Sequence, residues 1–497
     1  MIDSIVSLQS EFISSKSNEE RKKLGQFYTG SIVSDFMASL ITKINSKKIR
    51  ILDAGAGAGI LTVSAAMRCF ELGCTDVHAV LYELDEKAAK YLERAMSRFS
   101  QEHNTKASKF TFEIRNQDFI LSRPDKDESI EPFHLSVINP PYFKYSVKES
   151  PYSKATSDLF KGDPNIYASF MATVMSCMLL NGQMIVIAPR SFTNGLYFKG
   201  FRQYMGGLSS IERIHIFNSR SRVFKERESS VLQENVIFKF VKRPQAKNIT
   251  VSSSTCNADI QNAESNEYPD SLIIDSTNEQ RIIRVPETLS DAHIMLQAEN
   301  LPTHFEAAGY FISTGPVVEH RTRDYICKPS TNRNTTPLLR PHNIKPSEVV
   351  WSGKHNKDVK FKLKSGHDKH TIKKDVYVLL KRFTSKDERR RLVAAVFNPK
   401  TINEDRVGFG NKLNYIGVKG KSLTLVEAYG LAALFNSTFM DKYFRCISGN
   451  TQVNATEIRI IKFPSRETVK VIGRIIKKVT NPTQDDIDEV VNCELGI

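Results

Sequence analysis

A four-residue motif, Asn139-Pro140-Pro141-Tyr142, directly follows the apolar run His134–Ile138. Two consecutive prolines donate no backbone hydrogen bonds and fix φ, so they predict a stiff turn at the end of a buried strand. Such a turn would aim the Asn139 side-chain oxygen and the Pro140 carbonyl outward as two acceptors. They could bind both hydrogens of a planar, weakly nucleophilic NH₂ group and free its lone pair for in-line attack on a sulfonium methyl group. Tyr142 offers a flat face to a base, and we predict catalytic roles for Asn139, Pro140 and Tyr142.

A glycine-rich turn follows an earlier short apolar run that ends in Asp53. Gly55, Gly57 and Gly59 have the spacing Gly-x-Gly-x-Gly, whereas dinucleotide enzymes use Gly-x-Gly-x-x-Gly to pack a pyrophosphate on a helix N-terminus. S-adenosylmethionine carries no phosphate, and Asp53 could bind the ammonium group of its methionine part. On its own this turn could also be a tight turn without a ligand.

Acidic residues end two further strand-like runs. Glu83 closes the run that begins at His78, and Asp118 follows Phe110–Ile114. Glu83 could accept hydrogen bonds from two ribose hydroxyls, Asp118 could accept from an adenine amino group, and Phe119 could stack on that ring. Because the carboxyl ends of parallel strands meet at one edge of a sheet, we predict that these groups share one crevice.

The elements that position these residues alternate between strand and helix through the first half of the chain. This order predicts an α/β fold with a doubly wound, mainly parallel, Rossmann-like sheet. We assign residues 1–243 to this catalytic, cofactor-binding domain and residues 244–295, rich in Ser, Asn and Asp, to a loop-rich linker. Residues 296–497 form a second, α+β domain with C-terminal helices.

Composition and charge narrow the class of partner. The 497 residues contain 70 Lys and Arg against 55 Asp and Glu, a net charge of +15, and residues 345–391 alone contain fifteen basic against six acidic residues. A positive charge of this size suggests that the partner is a nucleic acid or an acidic membrane surface. Asn181-Gly182-Gln183 interrupts the longest uncharged stretch, 165–188, so we expect no membrane span. Seven cysteines without a Cys-x-x-Cys motif are typical of a cytosolic protein with reduced thiols, and we expect no metal site.

These motifs together resemble the adenine-N6 DNA methyltransferases of bacterial type II restriction–modification systems. The similarity is to their gamma group, in which the cofactor site precedes the catalytic motif and a target-recognition region follows. Ala54 and Ala56 depart from it, since Pro and Cys are more usual there. The matching segments are Lys23–Thr29, Leu52–Gly59, Glu83, Asp118-Phe119, Asn139–Tyr142, Ile312–Val318, Pro337–Pro341, Leu379–Phe383 and Ser448–Thr456.

The resemblance implies further site residues and partners. Tyr28 and Thr29 would contact the methionine part of S-adenosyl-L-methionine. Phe224, in Ser221–Lys225, would stack on the target adenine after it is flipped out of duplex DNA, although a core phenylalanine is an alternative there. The expected protein is a monomer in the bacterial cytoplasm, associated with the nucleoid, and a cognate restriction endonuclease is its functional partner. The basic block would bind phosphates, unless it is a solvated surface, and the DNA-contacting residues predicted in the second domain are Arg321, Arg340, Lys373, Lys374, Arg382 and Asn450.

Two other classes of function stay open at this point. A methyltransferase for RNA, a small molecule or a protein glutamine would also suit Asn-Pro-Pro-Tyr, because an amide nitrogen is equally planar. A DNA-binding specificity protein with a degenerate catalytic fold is the other alternative. A cytosine-C5 enzyme is disfavoured, because that reaction needs a nucleophilic cysteine that usually follows proline, and the chain contains no Pro-Cys.

Overall fold

A computed structural model describes the chain in two compact units, Met1–Glu287 and Thr288–Ile497. The described residues are 29–143, 145, 150–162, 165–217, 235–243, 247–275, 279–331, 334–363, 368–384, 388–449 and 452–497.

The first unit is built on one nine-stranded sheet. Its strands are β1 (Lys48–Asp53), β2 (Asp76–Tyr82), β3 (Lys109–Arg115), β4 (Phe133–Ile138), β5 (Met178–Pro189), β6 (Ser210–Phe217), β7 (Asn235–Val241), β8 (Asn248–Ser254) and β9 (Glu264–Pro269). They lie in the order β3-β2-β1-β4-β5-β7-β6-β8-β9. The strands from β3 to β5 in this order are parallel to one another, and β7 is antiparallel to both β5 and β6. The predicted α/β fold with a mainly parallel sheet is confirmed.

Helices connect these strands and cover the sheet. They are α1 (Ser31–Ser39), α2 (Ile60–Glu71), α3 (Glu86–His103), α4 (Phe119–Ser122), α5 (Pro151–Ala155), α6 (Ile166–Cys177), α7 (Lys199–Leu208) and α8 (Asp270–Ile273). Helix α3 shows why such segments fold as they do: Ala88, Leu92, Ala95 and Phe99 recur at helical spacing and are buried. The Asp85 side chain accepts the N–H groups of the first turn.

The predicted linker 244–295 differs from the structure. Strand β8 pairs in parallel with β6, and β9 pairs antiparallel with β8, so the sheet continues beyond residue 243. In β8 only Ile249 and Val251 face the core as large apolar residues, and the rest is polar. A strand near the sheet edge needs few apolar residues, which makes such a segment resemble a loop in composition. The first unit therefore extends to Glu287.

The second unit has an α+β organisation. The sheets formed by its described residues have the strand orders β11-β21-β18-β19-β15-β14, β12-β16-β13-β20-β17 and β10-β22. The strands are β10 (Thr303–His304), β11 (Tyr310–Thr314), β12 (Ile326–Cys327), β13 (Thr335–Leu339), β14 (Ile344–Lys345), β15 (Ser347–Val349), β16 (Val359–Lys362), β17 (Ile372–Lys373), β18 (Tyr377–Lys381), β19 (Ala394–Phe397), β20 (Arg406–Phe409), β21 (Leu413–Val418) and β22 (Lys462–Phe463).

In the described part of this unit the α-helices are α9 (Leu289–Glu299), α10 (Leu425–Asn436), α11 (Thr438–Ile447), α12 (Ala455–Ile460), α13 (Arg466–Ile476) and α14 (Gln484–Leu495). Helix α9 begins with a capping box between Thr288 and Asp291, which marks the start of the unit. Trp351 packs against the apolar core of the unit and is only partly buried. In the part of the chain that the structure describes, no helix is long and apolar enough to cross a membrane.

Candidate active site

The carboxyl ends of β1, β2 and β4 lie side by side, because these three strands are parallel neighbours in the sheet. Asp53 is the last residue of β1, Glu83 directly follows β2, and Asn139 directly follows β4. The sheet therefore brings three of the predicted site residues to one edge. This is the edge at which open α/β sheets bind their ligands.

Asn139 is held at both ends of its side-chain amide. Its Nδ2 donates to Thr29 Oγ1 at 3.0 Å, and the Tyr142 hydroxyl donates to its Oδ1 at 2.7 Å. The Thr29 side chain itself is buried. An amide with two such partners cannot rotate without losing both hydrogen bonds, so Asn139 stands in one orientation at the strand end.

The Tyr142 side chain is partly exposed, and its hydroxyl group points into the protein. The hydroxyl also lies 3.1 Å from the Ile187 carbonyl, and burial raises the pKa of Tyr142 well above its usual value, so it remains a proton donor. The ring meets Tyr167 edge to face at 6.2 Å between centroids. Tyr167 is fully buried, and its hydroxyl pairs with Ser191 Oγ at 2.7 Å. These contacts fix the plane of the Tyr142 ring.

Asp53 is 1% exposed at the end of β1. Its Oδ2 accepts from Thr62 Oγ1 at 2.7 Å. Its Oδ1 is buried and has no hydrogen-bond partner among the described residues, although the nearby Gly55 N–H helps to stabilise the charge. Burial raises the pKa of Asp53 to about 7, Thr62 opposes that rise, and the charge of Glu83 adds to it. A cation beside Oδ1 would satisfy this atom and lower the pKa.

Glu83 ties the glycine-rich turn to the end of β2. Its Oε2 accepts from the Gly57 N–H at 2.9 Å, and its Oε1 accepts from the Asp85 N–H at 2.8 Å. Gly57 and Gly59 have φ of +53° and +85°. A Cβ at Gly59 would lie 2.6 Å from Met96 Cε and 2.7 Å from Leu92 Cδ1, so the turn packs tightly on α3. Gly55 is exposed on the same turn.

Asp118 and Phe119 lie beyond β3 at the start of α4. Asp118 Oδ1 accepts the N–H groups of Ile120 and Leu121 as an N-cap. Its Oδ2 accepts from the Tyr152 hydroxyl at 2.9 Å, a partner that the sequence did not reveal. Phe119 is buried against Tyr82, at 5.1 Å between ring centroids, and its stacking role stays a prediction.

Three predicted residues, Tyr28, Phe224 and Asn450, lie outside the described residues, so their roles stay predictions.

The basic residues predicted to contact DNA differ in their surroundings. Arg321 and Lys373 are exposed. Arg340 pairs with Glu319 at 2.7 Å and donates to the Lys357 carbonyl, Lys374 donates to the carbonyls of Ile402 and Asn403, and Arg382 donates to Asn411 and Gln452. Arg340, Lys374 and Arg382 therefore stabilise local structure in this unit.

Among the described residues, one cluster of potential metal ligands lies in the second unit. Ligand atoms of His342, His355 and Asp358 lie within 4.8 Å of one another. His342 donates to Asp358, and this buried carboxylate also accepts from Asn343 and from the Gly353 N–H. These hydrogen bonds give the cluster a structural role, because they hold together the loop that contains these residues.

The chain is similar in sequence to restriction–modification methylases. A family model described as Eco57I restriction-modification methylase matches residues 58–224. Type II methyltransferase M.PstI of Providencia stuartii is 34% identical over 488 residues, which cover 96% of this chain and 94% of that protein. Type II methyltransferase M.BsuBI of Bacillus subtilis is 33% identical, over 95% of this chain and 93% of that protein.

A solved structure with a similar fold is that of the type IIL restriction-modification enzyme MmeI in complex with DNA. The TM-score is 0.55 at 11% identity, and the match covers 99% of this chain and 74% of that chain. The fold similarity thus extends over both units of the chain.

Proposed function

Because the chain belongs to the type II restriction-modification methyltransferases, we propose that it methylates adenine at N6 within a specific sequence of duplex DNA. The methyl donor is S-adenosyl-L-methionine. The modification protects host DNA from a cognate restriction endonuclease. The enzyme acts as a monomer in the bacterial cytoplasm, on one DNA strand at a time.

The single observation that carries this proposal is the orientation of Asn139 at the end of β4. Thr29 and Tyr142 hold its amide from both sides, directly before Pro140. A target amino group that donates one hydrogen to Asn139 Oδ1 and the other to the Pro140 carbonyl becomes more tetrahedral. Its lone pair then leaves conjugation with the ring and can attack a methyl group in line.

The residues at the end of β1 fit the donor. When bound, S-adenosyl-L-methionine supplies the sulfonium methyl group. Asp53 Oδ1, which is buried and has no hydrogen-bond partner in the described part of the chain, would accept from the ammonium group of its methionine part. Thr29 and the backbone of Gly55 and Gly57 would line the same part of the site, as would Tyr28. Glu83, Asp118 and Phe119 would bind the ribose and adenine.

The target adenine has to leave the helix to reach Asn139. Unstacking and unpairing a base costs a few kcal/mol. The partly exposed ring of Tyr142 would offset part of this cost, because base–aromatic stacking contributes ~1–3 kcal/mol. We assign a second stacking contact to Phe224. The held hydroxyl of Tyr142 favours this role, since a ring with a fixed plane loses little entropy on stacking.

Contacts with DNA phosphates and base edges fall to the second unit. Its exposed basic residues include Arg321 and Lys373, and a protein of similar fold has been solved in complex with DNA. Arg340, Lys374 and Arg382 would act through the local structure that they hold. Phosphate contacts position such a protein, and base-edge contacts select the sequence.

Transfer of tritiated methyl groups from S-adenosyl-L-methionine to plasmid DNA tests the proposal. We expect transfer to duplex DNA and none to ribosomal protein or RNA. Asn139→Ala should abolish transfer and leave cofactor binding largely unchanged. Asn262→Ala, an exposed asparagine elsewhere in the same unit, is the matched control and should be fully active. Transfer to protein or RNA alone, or full activity of Asn139→Ala, would refute the proposal.

A further inference from the structure

A cavity of about 120 Å³ lies in the first unit, lined by residues of α7 and of strands β6, β7 and β8. Its wall is mostly apolar and includes Phe192, Phe201, Met205, Ile211 and Phe240. An apolar cavity of about 150 Å³ in another protein admits benzene. The space in this unit can therefore hold an apolar body of about that size.

A buried arginine is part of this apolar wall. Arg202 is 3% exposed, and it donates through Nε to the Gln280 carbonyl and through Nη1 to the carbonyls of Phe192 and Gly195. Its third nitrogen, Nη2, is buried and has no hydrogen-bond partner in the described part of the chain. Nη2 is thus the donor of Arg202 that remains to be satisfied.

The charge of Arg202 also has no counterion among the residues that the structure describes. No described carboxylate forms an ion pair with it, and burial lowers its pKa to about 10. Buried charges in proteins are ordinarily paired, because an isolated ion in a low-dielectric interior is costly. An anion inside the cavity would supply the missing partner.

Two further residues of the same wall carry hydrogen-bond donors. Ser210 Oγ is buried without a hydrogen-bond partner among the described residues. The guanidinium of Arg281 lies against Gly206, where an added Cβ would come 2.8 Å from Arg281 Cζ. Asp270 also lines the cavity, and no ion pair joins it to either arginine in the described contacts. The polar part of the wall is thus rich in donors and carries a net positive charge.

We propose that this cavity binds a small organic carboxylate. Its apolar body fills the space between α7 and the sheet, and its carboxylate accepts hydrogen bonds from Arg202 Nη2, Ser210 Oγ and Arg281. A carboxylate suits guanidinium donors because the two groups match in shape and charge. An inorganic anion would satisfy the donors and leave the apolar wall uncovered.

Occupation of the cavity would stabilise a segment near the candidate active site. Arg202 holds the carbonyls of Phe192 and Gly195, and Ser191, the hydroxyl partner of Tyr167, directly precedes this segment. A ligand that binds only the folded chain raises its melting temperature as concentration rises. The binding site itself is separate from Asn139 and Asp53, so its test does not depend on methyl transfer.

Isothermal titration calorimetry and thermal melting of the full chain test the proposal with benzoate as the probe. Benzyl alcohol has the same ring without the charge, and inorganic phosphate has the charge without the ring. We expect saturable 1:1 binding of benzoate and a rise in melting temperature, with at least about tenfold weaker binding of both other compounds. Equal binding of benzyl alcohol, preferential binding of phosphate, or no saturable binding of benzoate would overturn the proposal.

Variants identify the site without disturbing the carbonyls that Arg202 holds. Ser210→Ala and Arg281→Gln remove donors that have no described hydrogen bond, and each should weaken benzoate binding by about threefold to tenfold. Arg213→Gln changes the same charge on β6, at a residue that does not line the cavity, and should bind benzoate as the parent does. Unchanged affinity in both donor variants would also overturn the proposal.

Discussion

We expect the buried carboxylate of Asp53 to make both stability and cofactor binding depend on pH. Its folded-state pKa of about 7 lies above the unfolded value of 3.8. The stability that its protonation contributes is therefore fully present below about pH 3.8 and is lost as pH rises through 7. Asp53→Asn lacks this loss. At pH 8 its free energy of unfolding, measured by urea denaturation, should therefore exceed that of the parent by up to ~4 kcal/mol.

The same variant tests the role of Asp53 in cofactor binding. Only the ionised carboxylate attracts an ammonium group, so the affinity of the parent for S-adenosyl-L-methionine should fall below about pH 7. Asp53→Asn should lose most of the affinity at every pH, as calorimetry would report. Asp76→Asn, at the opposite end of a strand, is the control with unchanged binding. Parent-like affinity of Asp53→Asn would contradict the assignment.

Variants of Tyr142 separate two proposed effects, since its hydroxyl donates to Asn139 and its ring would stack on the target base. Tyr142→Phe keeps the ring and removes the hydrogen bond to Asn139, which should lower kcat by about threefold to tenfold. Tyr142→Ala also removes the stacking surface and should cost a further ~1–3 kcal/mol in kcat/KM. Single-turnover methylation rates distinguish the two variants. Equal rates for Tyr142→Phe and Tyr142→Ala would contradict a stacking role.

Among individual residues, those at the ends of strands are predicted well by the sequence. Asp53, Glu83 and Asn139 follow apolar runs, and parallel neighbours necessarily bring such ends together. Tyr152 and Tyr167 could not be predicted in the same way. Tyr152 contacts Asp118 from 34 positions away, and Tyr167 meets Tyr142 only through the packing of α6. No local pattern in the sequence encodes either contact.

Among the elements, the turn between β1 and α2 leaves no free space for a side chain at Gly59. Gly59 combines a φ of +85° with close contact to α3, so Gly59→Ala incurs both backbone strain and overpacking. Gly420 has a φ of +73° and nothing within 4 Å of an added Cβ, so Gly420→Ala incurs the strain alone.

We expect Gly420→Ala to lose about 1–2 kcal/mol of unfolding free energy. Gly59→Ala should lose a further ~1–3 kcal/mol, because the buried ends of Met96 and Leu92 must shift to admit the new Cβ. Urea denaturation at one pH measures both variants. Equal losses in the two would show that the contact with α3 carries no energy.

The boundary of the first unit shows where element prediction from sequence fails. Strands β1, β4 and β5 are buried on both faces and read as apolar runs. Strands β8 and β9 lie at the end of the sheet and are mostly polar, so their composition resembles that of a linker. The central strands are therefore predictable from hydrophobicity, whereas the outer strands are recognised only from their hydrogen-bonded pairing in the structure.

For the whole molecule, the positive charge is not all available to a partner. The block 345–391 ends in Arg391, which is fully buried and donates to Thr384 and to the Ser448 carbonyl. Arg390 likewise donates to Thr438. A charge count along the sequence treats these arginines as surface charge, whereas their hydrogen bonds show that they stabilise the second unit.

Salt dependence of DNA binding measures how much charge does reach phosphates. Six to ten contacts would reduce affinity ~10³–10⁵-fold between 50 and 200 mM salt. Removing one phosphate contact by Lys373→Gln should reduce the slope of log affinity against log salt by about 1. Lys106→Gln, an exposed lysine in the first unit, serves as control and should leave the slope unchanged. A parent slope near zero would contradict DNA binding through charge.

The identity of the methylated base is the most direct measure of the proposed activity. Plasmid DNA from cells that express the parent chain, digested to nucleosides and analysed by mass spectrometry, should contain N6-methyl-2′-deoxyadenosine above the level of cells without the protein. DNA from cells that express folded Asn139→Ala should not. N4-methylcytosine as the only product, no added methylated base, or an unchanged yield with Asn139→Ala would contradict the account.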